Sequence, residues 1–263
     1  MTTTELLEIA RQVATTAGEL AARCRVAGVE IAASKSSPED IVTLADRETE
    51  ALIRSMLADA RPNDGFLGEE TGSSVGSSGL TWVVDPIDGT VNYLYNAPHW
   101  AVSIAVVEGE PEPTTWSALA GVVVNPVIGE IFTATLGGGA FLGSRRLQVA
   151  EAELALALVA TGFSYQSEVR VKQAALLARL IGQVRDVRRT GTASLDLCAV
   201  ACGRLNAFYE QGLKPWDHAA GALIAREAGA RVSGLGGAPA SAELLLAAPA
   251  FLAAQLERLF LAE

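Results

Sequence analysis

Trp82-Val83-Val84-Asp85-Pro86-Ile87-Asp88-Gly89-Thr90-Val91-Asn92-Tyr93 runs an apolar strand directly into two carboxylates. The β-type run from Leu80 to Val84 ends on Asp85. Pro86 has no N–H to donate, so regular strand pairing is expected to stop there. Asp88, Gly89 and Thr90 predict a turn that opens a helix. The two aspartates are then held three residues apart at the end of a rigid element, beside backbone amides and a hydroxyl. Such a grouping suits divalent cations and a phosphate. A lone charge closing an apolar strand is costly without a partner, which makes Asp85 the hardest residue here to treat as ordinary surface.

Outward from this stretch the chain alternates strand and helix signals. Apolar residues recur at helical spacing from Leu6 to Cys24, with Thr2 and Glu5 fitting a capping box. A second helix is predicted over 44–60, with Thr43 as N-cap and Asp46 three residues later. Asn63-Asp64-Gly65 marks a turn and Phe66-Leu67 a short strand ending on Gly68-Glu69-Glu70. Gly72 to Gly79 (Gly-Ser-Ser-Val-Gly-Ser-Ser-Gly) predicts a mobile surface loop, disordered without metal and tethering Glu69 loosely. Strands are expected over 80–84, 101–107, 119–124, 130–135, 140–142, 156–161, 186–188, 207–209 and 244–246. Helices are expected over 171–180, 193–201, 217–228 and 249–262. With no fixed repeat and no boundary, this pattern predicts one α/β (α+β) domain over residues 1–263, with mixed sheets and covering helices.

Composition narrows the function. At 263 residues, half of them hydrophobic, the chain can bury an ample core. A formal net charge of −10 argues against nucleic acid or anionic membrane as partner. An acidic protein that acts on a phosphate needs metal ions to reverse the local field. The three cysteines, Cys24, Cys198 and Cys202, form no C-x-x-C pair and predict reduced thiols in a cytoplasmic protein. Glu5, Glu8 and Glu19 within an amphipathic pattern do not read as a signal peptide.

Oxygen ligands without His or Cys point to Mg²⁺ or Mn²⁺. The candidates are Glu69, Asp85, Asp88 and Asp217, with the Ile87 carbonyl between two aspartates. Taken singly, Asp88-Gly89 is an ordinary turn signal and Asp217 an ordinary helix N-cap. Asp46 fits a capping box with Thr43 at least as well as it fits a catalytic role. Lys35 reads as a solvated lysine in a polar stretch. Arg188 and Arg189 are a surface pair able to attract phosphate. Thr90 can cap the following helix, whose free N–H groups, with those of Gly89, could also hold a phosphate.

Several of these segments resemble, in order and spacing, the motifs of the inositol monophosphatase family. Gly68-Glu69-Glu70, Asp85-Pro86-Ile87-Asp88-Gly89-Thr90 and Trp216-Asp217-His218-Ala219-Ala220-Gly221 are similar to its three signatures. Lys35-Ser36-Ser37-Pro38-Glu39-Asp40 with Val42-Thr43-Leu44-Ala45-Asp46 resembles its N-terminal motif, and Gly191-Thr192-Ala193 with Tyr209-Glu210 its substrate segments. The resemblance covers about residues 5 to 260. It implies a layered αβαβα sandwich, a homodimer, and hydrolysis of a small-molecule phosphomonoester with two or three Mg²⁺ ions, sensitive to lithium. By position, Glu69, Asp85, Ile87, Asp88 and Asp217 would hold metal, Thr90 and Asp46 would orient the attacking water, and Glu70 would be a further catalytic acid near the metals, behind their ligands. Gly89 and Thr90 would bind phosphate, while Gly191, Thr192, Ala193, Glu210 and Asp217 would meet the substrate alcohol.

The substrate is less determined. Lys214-Pro215 stands where animal inositol enzymes tend to carry a histidine and a cysteine, and Leu213-Lys214-Pro215-Trp216-Asp217 resembles bacterial members more closely. Val91-Asn92-Tyr93 is similar to the inositol branch. Inositol 1-phosphate is the expected substrate, with histidinol phosphate, fructose 1,6-bisphosphate or adenosine 3′,5′-bisphosphate as alternatives. A non-catalytic metal-binding dimer is a reading from a different class.

Overall fold

A computed structural model describes residues 2–34 and 41–261. The segment Lys35 to Asp40, quoted above for its resemblance, lies outside the described residues. Helix α1 (Thr3–Ala27) starts at the Thr2/Glu5 capping box. Two short antiparallel strands, β1 (Ile31–Ser34) and β2 (Ile41–Thr43), lead into α2 (Leu44–Ala60). Then come β3 (Gly65–Gly68), β4 (Gly72–Ser74), β5 (Leu80–Asp88) and a single-turn helix, α3 (Thr90–Leu94). A run of strands follows, namely β6 (Ala101–Glu108), β7 (Ser117–Asn125), β8 (Glu130–Thr135), β9 (Gly139–Leu142) and β10 (Arg145–Arg146). The second half holds β11 (Leu158–Thr161), α4 (Ser167–Leu180), β12 (Asp186–Arg188), α5 (Ala193–Ala201) and β13 (Ala207–Glu210). It closes with α6 (Pro215–Glu227), β14 (Arg231–Ser233), β15 (Leu245–Ala248) and α7 (Ala250–Leu261).

These elements stack in five layers, α-β-α-β-α. An eight-stranded sheet has the order β10-β9-β8-β7-β6-β5-β3-β4, and a five-stranded sheet the order β12-β11-β13-β15-β14. On one face of the larger sheet, Leu6, Val13 and Ala17 of α1 and Ile53 and Leu57 of α2 bury against Trp82, Val84, Ile104 and Val122. On its other face Val83, Ala105 and Val123 meet Cys198, Ala219, Ala220 and Leu223 of α5 and α6. The far side of that helix pair, with Leu197, Val200 and Ala225, packs on Phe208, Leu245 and Ala247 of the smaller sheet. The outer face of the smaller sheet, with Val159, Tyr209 and Leu246, is covered by Leu180 of α4 and Leu252, Leu256 and Phe260 of α7. A helix layer squeezed between two sheets needs small residues. A β-carbon on Gly221 would lie 2.9 Å from Leu197 of α5, so Ala219-Ala220-Gly221 lets the two helices touch. No described helix is long and apolar enough to cross a membrane.

Three expectations need correction. Strand β5 does not end at Pro86: pairing with β6 is interrupted between Asp85 and Asp88 and resumes at Asp88↔Ala101, so the proline sits in an irregularity instead of a terminus. The Gly72–Gly79 segment is anchored. Its first three residues form β4 against β3, and Ser77 and Ser78 donate to the Asn63 carbonyl at 2.8 and 3.0 Å. Composition pointed to a loop because it carries no record of the partner strand. Helix α6 begins at Pro215, two residues before Asp217, using a proline whose missing N–H costs nothing at a first helical position.

Candidate active site

Strand direction assembles the site. Strands β3 and β5 run parallel with Gly68 opposite Val84, so their carboxyl ends emerge together. Glu69, whose N–H donates to the Val84 carbonyl at 3.2 Å, therefore stands beside Asp85. In the smaller sheet β11 and β13 are also parallel, with Thr161 opposite Tyr209, which brings Gly162 alongside Glu210. A β-carbon on Gly162 would lie 2.0 Å from a Glu210 carboxylate oxygen, so that carboxylate occupies the space a side chain would take. Between the two sheets, the first turn of α6 carries Asp217. The cavity enclosed, about 510 Å³, is lined by Glu69, Asp85, Ile87, Asp88, Gly89, Thr90, Gly191, Ala193, Glu210 and Asp217. Its volume lies within the range of about 300–1,000 Å³ usual for small-molecule sites.

Each aspartate is oriented by a backbone amide. Asp85 accepts from Ile87 N–H at 3.1 Å, Asp88 from Ser194 N–H at 2.7 Å, and Asp217 from Lys214 N–H at 2.6 Å. Asp217 thus does serve its helix start, and lines the cavity as well. Thr90 at the opposite wall donates through its hydroxyl to Asp46 Oδ1 or to the Ile87 carbonyl, each 3.2 Å away. Asp46 also accepts from Thr43 N–H at 2.8 Å, so its capping role and its contact with Thr90 coexist. Gly89 has φ +93°, a conformation that favours glycine, and a β-carbon there would lie 2.5 Å from the Thr192 hydroxyl. Because α3 is one turn long, a phosphate at Gly89 and Thr90 would meet local N–H groups with little macrodipole behind them.

Not every expected residue faces the cavity. Thr192 is buried, and its hydroxyl donates to the His99 carbonyl at 2.6 Å, so it braces the loop. Asp46 is likewise buried behind Thr90. Glu70 does not line the cavity, and its N–H donates to Glu50 at 2.8 Å. Arg188 pairs with Asp186 on an exposed edge, whereas Arg189 lines the cavity, where its charge partly offsets the rise that burial imposes on the Glu210 carboxyl. Asp196 had no sequence signal: it is buried on α5 and accepts from the Thr190 hydroxyl at 2.6 Å, which secures the start of the Gly191 loop. His218 is buried against Trp116, and burial lowers its pKa to about 4, so it is a neutral core residue.

The electrostatics are one-sided. Burial raises Asp46 to about 6, and repulsion from Glu69 and Glu70 adds to the shift against the Thr43 hydrogen bonds. Burial raises Asp88 to about 7 against hydrogen bonds from Ser194. Asp85 and Asp217 are pushed well above the usual carboxylate range, first by burial and then by repulsion from Glu69 and Asp88. Glu210 rises to about 8, chiefly through burial. Among the described residues no three His, Cys, Asp or Glu side chains already stand close enough to hold an ion. The donor chemistry nevertheless fits a hard divalent cation: all-oxygen, anionic, and short of positive charge.

A stability prediction arises here. A carboxyl whose folded pKa exceeds its unfolded value binds extra protons in the folded state between the two values, so stability falls as pH rises through that window. The windows run from an unfolded value of about 4 up to about 6 for Asp46 and about 7 for Asp88. The metal-free unfolding temperature should therefore fall between about pH 4 and pH 7, and saturating Mg²⁺ should remove most of the fall. Thermal melts across that range check it; a metal-free value rising with pH would contradict it.

Comparison with known proteins shows the family. The sequence model of the inositol monophosphatase family matches residues 2–262. The inositol-1-monophosphatase SuhB of Mycobacterium tuberculosis is 48% identical over 209 residues, covering 76% of this chain and 70% of that protein. An inositol-1-monophosphatase of Rhizobium meliloti is 42% identical over 233 residues, covering 87% and 85%. The crystal structure of the extragenic suppressor protein suhB from Bartonella henselae superposes with a TM-score of 0.88 at 35% identity, covering 98% of both chains.

Proposed function

The chain belongs to the inositol monophosphatase family, and from that premise we propose that it is a Mg²⁺-dependent phosphomonoesterase that hydrolyses inositol 1-phosphate. The observation that carries this reading is the Thr90 hydroxyl, backed by buried Asp46, which opens onto the same cavity as Glu69, Asp85, Asp88 and Asp217. In this reading two or three Mg²⁺ ions, with Mn²⁺ as a possible substitute, are held by Glu69, Asp85, Asp88, Asp217 and the Ile87 carbonyl. Bound there, the metal supplies an acidified water and charge stabilisation for the departing alkoxide.

The remaining work falls to the protein's own groups. Asp46, ionised once cations offset its neighbours, takes the Thr90 hydroxyl proton as a hydrogen bond. That leaves the Thr90 oxygen lone pairs to accept from the attacking water and fix its direction. The Gly89 and Thr90 amides hold phosphate oxygens, with no side chain at Gly89 in the way. Glu210, with Arg189 beside it, meets hydroxyls of the alcohol, while Gly191 and Ala193 leave room for a ring. Glu70 acts only from behind the cavity wall. A homodimer, lithium inhibition and a cytoplasmic location, to which three free cysteines are suited, complete the reading.

Phosphate release should be measured on inositol 1-phosphate, histidinol phosphate, fructose 1,6-bisphosphate and adenosine 3′,5′-bisphosphate, with and without Mg²⁺ and Li⁺. Turnover of inositol 1-phosphate is expected to be fastest and to vanish with chelator. Faster turnover of histidinol phosphate would move the substrate assignment and leave the site intact. No release from any ester at full Mg²⁺ occupancy would favour a non-catalytic protein.

A further inference from the structure

We propose that Glu50 is a positioning residue: from the middle of α2 its carboxylate fixes the turn that carries Glu69, so that one helix face sets both walls of the site. The proposal rests on the phosphatase reading for its effect on Mg²⁺, but not for the clamp itself.

Glu50 is fully buried. Its two carboxylate oxygens each accept a backbone amide of the turn after β3, Glu70 N–H at 2.8 Å and Thr71 N–H at 2.7 Å. Buried carboxylates are retained only where such partners offset the loss of water, and these partners are the amides directly following Glu69. The strand is shaped to admit the group, since a β-carbon on Gly68 would lie 2.5 Å from Glu50 Oε2. One helical turn further on, Arg54 donates to the Thr71 hydroxyl at 2.9 Å and the Ser74 hydroxyl at 3.1 Å, with its guanidinium 4.8 Å from the centre of the Phe66 ring.

Asp46, Glu50 and Arg54 recur every four residues and so share one face of α2. Asp46 holds Thr90 at one wall of the cavity, and Glu50 and Arg54 hold the Glu69–Ser74 segment at the other. The distance between the water-orienting pair and Glu69 is thereby referred to a single rigid helix. Glu50 touches no cavity space and acts only through the backbone of this turn.

Glu50→Gln tests this with little change of shape. The amide oxygen can still accept one N–H, but the NH₂ group faces the other donor and leaves it without a partner. The half-saturating Mg²⁺ concentration for hydrolysis should rise about 10- to 100-fold, as for other residues that orient a ligand from behind. KM for the phosphate ester at saturating Mg²⁺ should stay within about twofold. In metal-free protein, hydrogen exchange at the Glu70 and Thr71 amides should quicken at least about tenfold, while the α1 amides keep their protection. A role in folding alone would lower the amount of active enzyme without moving the half-saturating Mg²⁺ concentration. Unchanged Mg²⁺ dependence, or unchanged exchange at the two amides, would overturn the proposal. Should Glu50→Gln fail to fold, Glu50→Asp decides: it keeps the charge but is one methylene shorter, and must shift both readouts in the same direction. If the wild type shows no Mg²⁺-dependent hydrolysis, the phosphatase reading fails and the exchange measurement alone decides the clamp.

Discussion

Asp88→Asn is expected to lower kcat/KM on the order of 10³-fold while making the metal-free protein more stable at pH 8. The loss follows from the size of the effect removed: metal stabilisation of charge is worth several kcal/mol, and each 1.36 kcal/mol is about tenfold in rate. Asparagine retains the shape, and its carbonyl oxygen can still accept the Ser194 N–H that Asp88 accepts at 2.7 Å. What disappears is a negative charge in a pocket where Glu69 and Asp88 both push Asp85 and Asp217 upward. Removing it relieves repulsion that the empty pocket does not offset, so the metal-free unfolding temperature should rise at pH 8. At pH 5, below the value of about 7 at which Asp88 ionises, the substitution should change stability far less. The rise in unfolding temperature caused by Mg²⁺ should shrink in step. Melts with and without Mg²⁺ at both pH values, beside initial rates, check all three points. Wild-type turnover would remove Asp88 from the metal assignment, and a fall in metal-free stability at pH 8 would refute the electrostatic account.

Thr90→Ala should lower kcat about 10²- to 10³-fold and leave the half-saturating Mg²⁺ concentration nearly unchanged. The hydroxyl is 3.2 Å from both Asp46 and the Ile87 carbonyl, between the carboxylate and the end of β5. Alanine removes the acceptor for water without touching a carboxylate. Asp46→Asn should cost a similar factor, because its NH₂ would donate toward the Thr90 hydroxyl and reverse the sense of that hydrogen bond. The double variant should lose little more than either single one, as residues acting as a unit do. A multiplied loss would mean that the two act separately. A Thr90→Ala variant impaired mainly in Mg²⁺ affinity would place the hydroxyl among the metal's ligands instead.

Much of the fold and of the candidate site is legible along the chain, for identifiable reasons. The apolar run at 80–84 and its terminal aspartate mark β5, and the Thr43/Asp46 spacing marks the start of α2. The strands missed are short ones, such as β1, β2, β10 and β14, whose pairing comes from neighbours and leaves no pattern of two in so few residues. Helix α4 extends four residues earlier than its apolar pattern because Ser167, Glu168 and Arg170 are helical without being buried. Thr192 illustrates the opposite limit. Its place in a Gly-Thr-Ala segment reads as substrate contact, but only the folded loop reveals that its hydroxyl turns to the His99 carbonyl.

The sequence by itself determined the long helices and strands and what the donors can bind. Helical and strand periodicities depend on neighbours within a few residues, and an all-oxygen ligand set is a matter of residue type. Tertiary structure alone decided which donors meet. The parallel pairing of β3 with β5 brings Glu69 beside Asp85, and α2 reaches Thr90 with Asp46 and the Glu69 turn with Glu50. Asp88 is held by the amide of Ser194, 106 residues away. Contacts across such separations are fixed by how sheets and helices pack, and no local pattern encodes that packing.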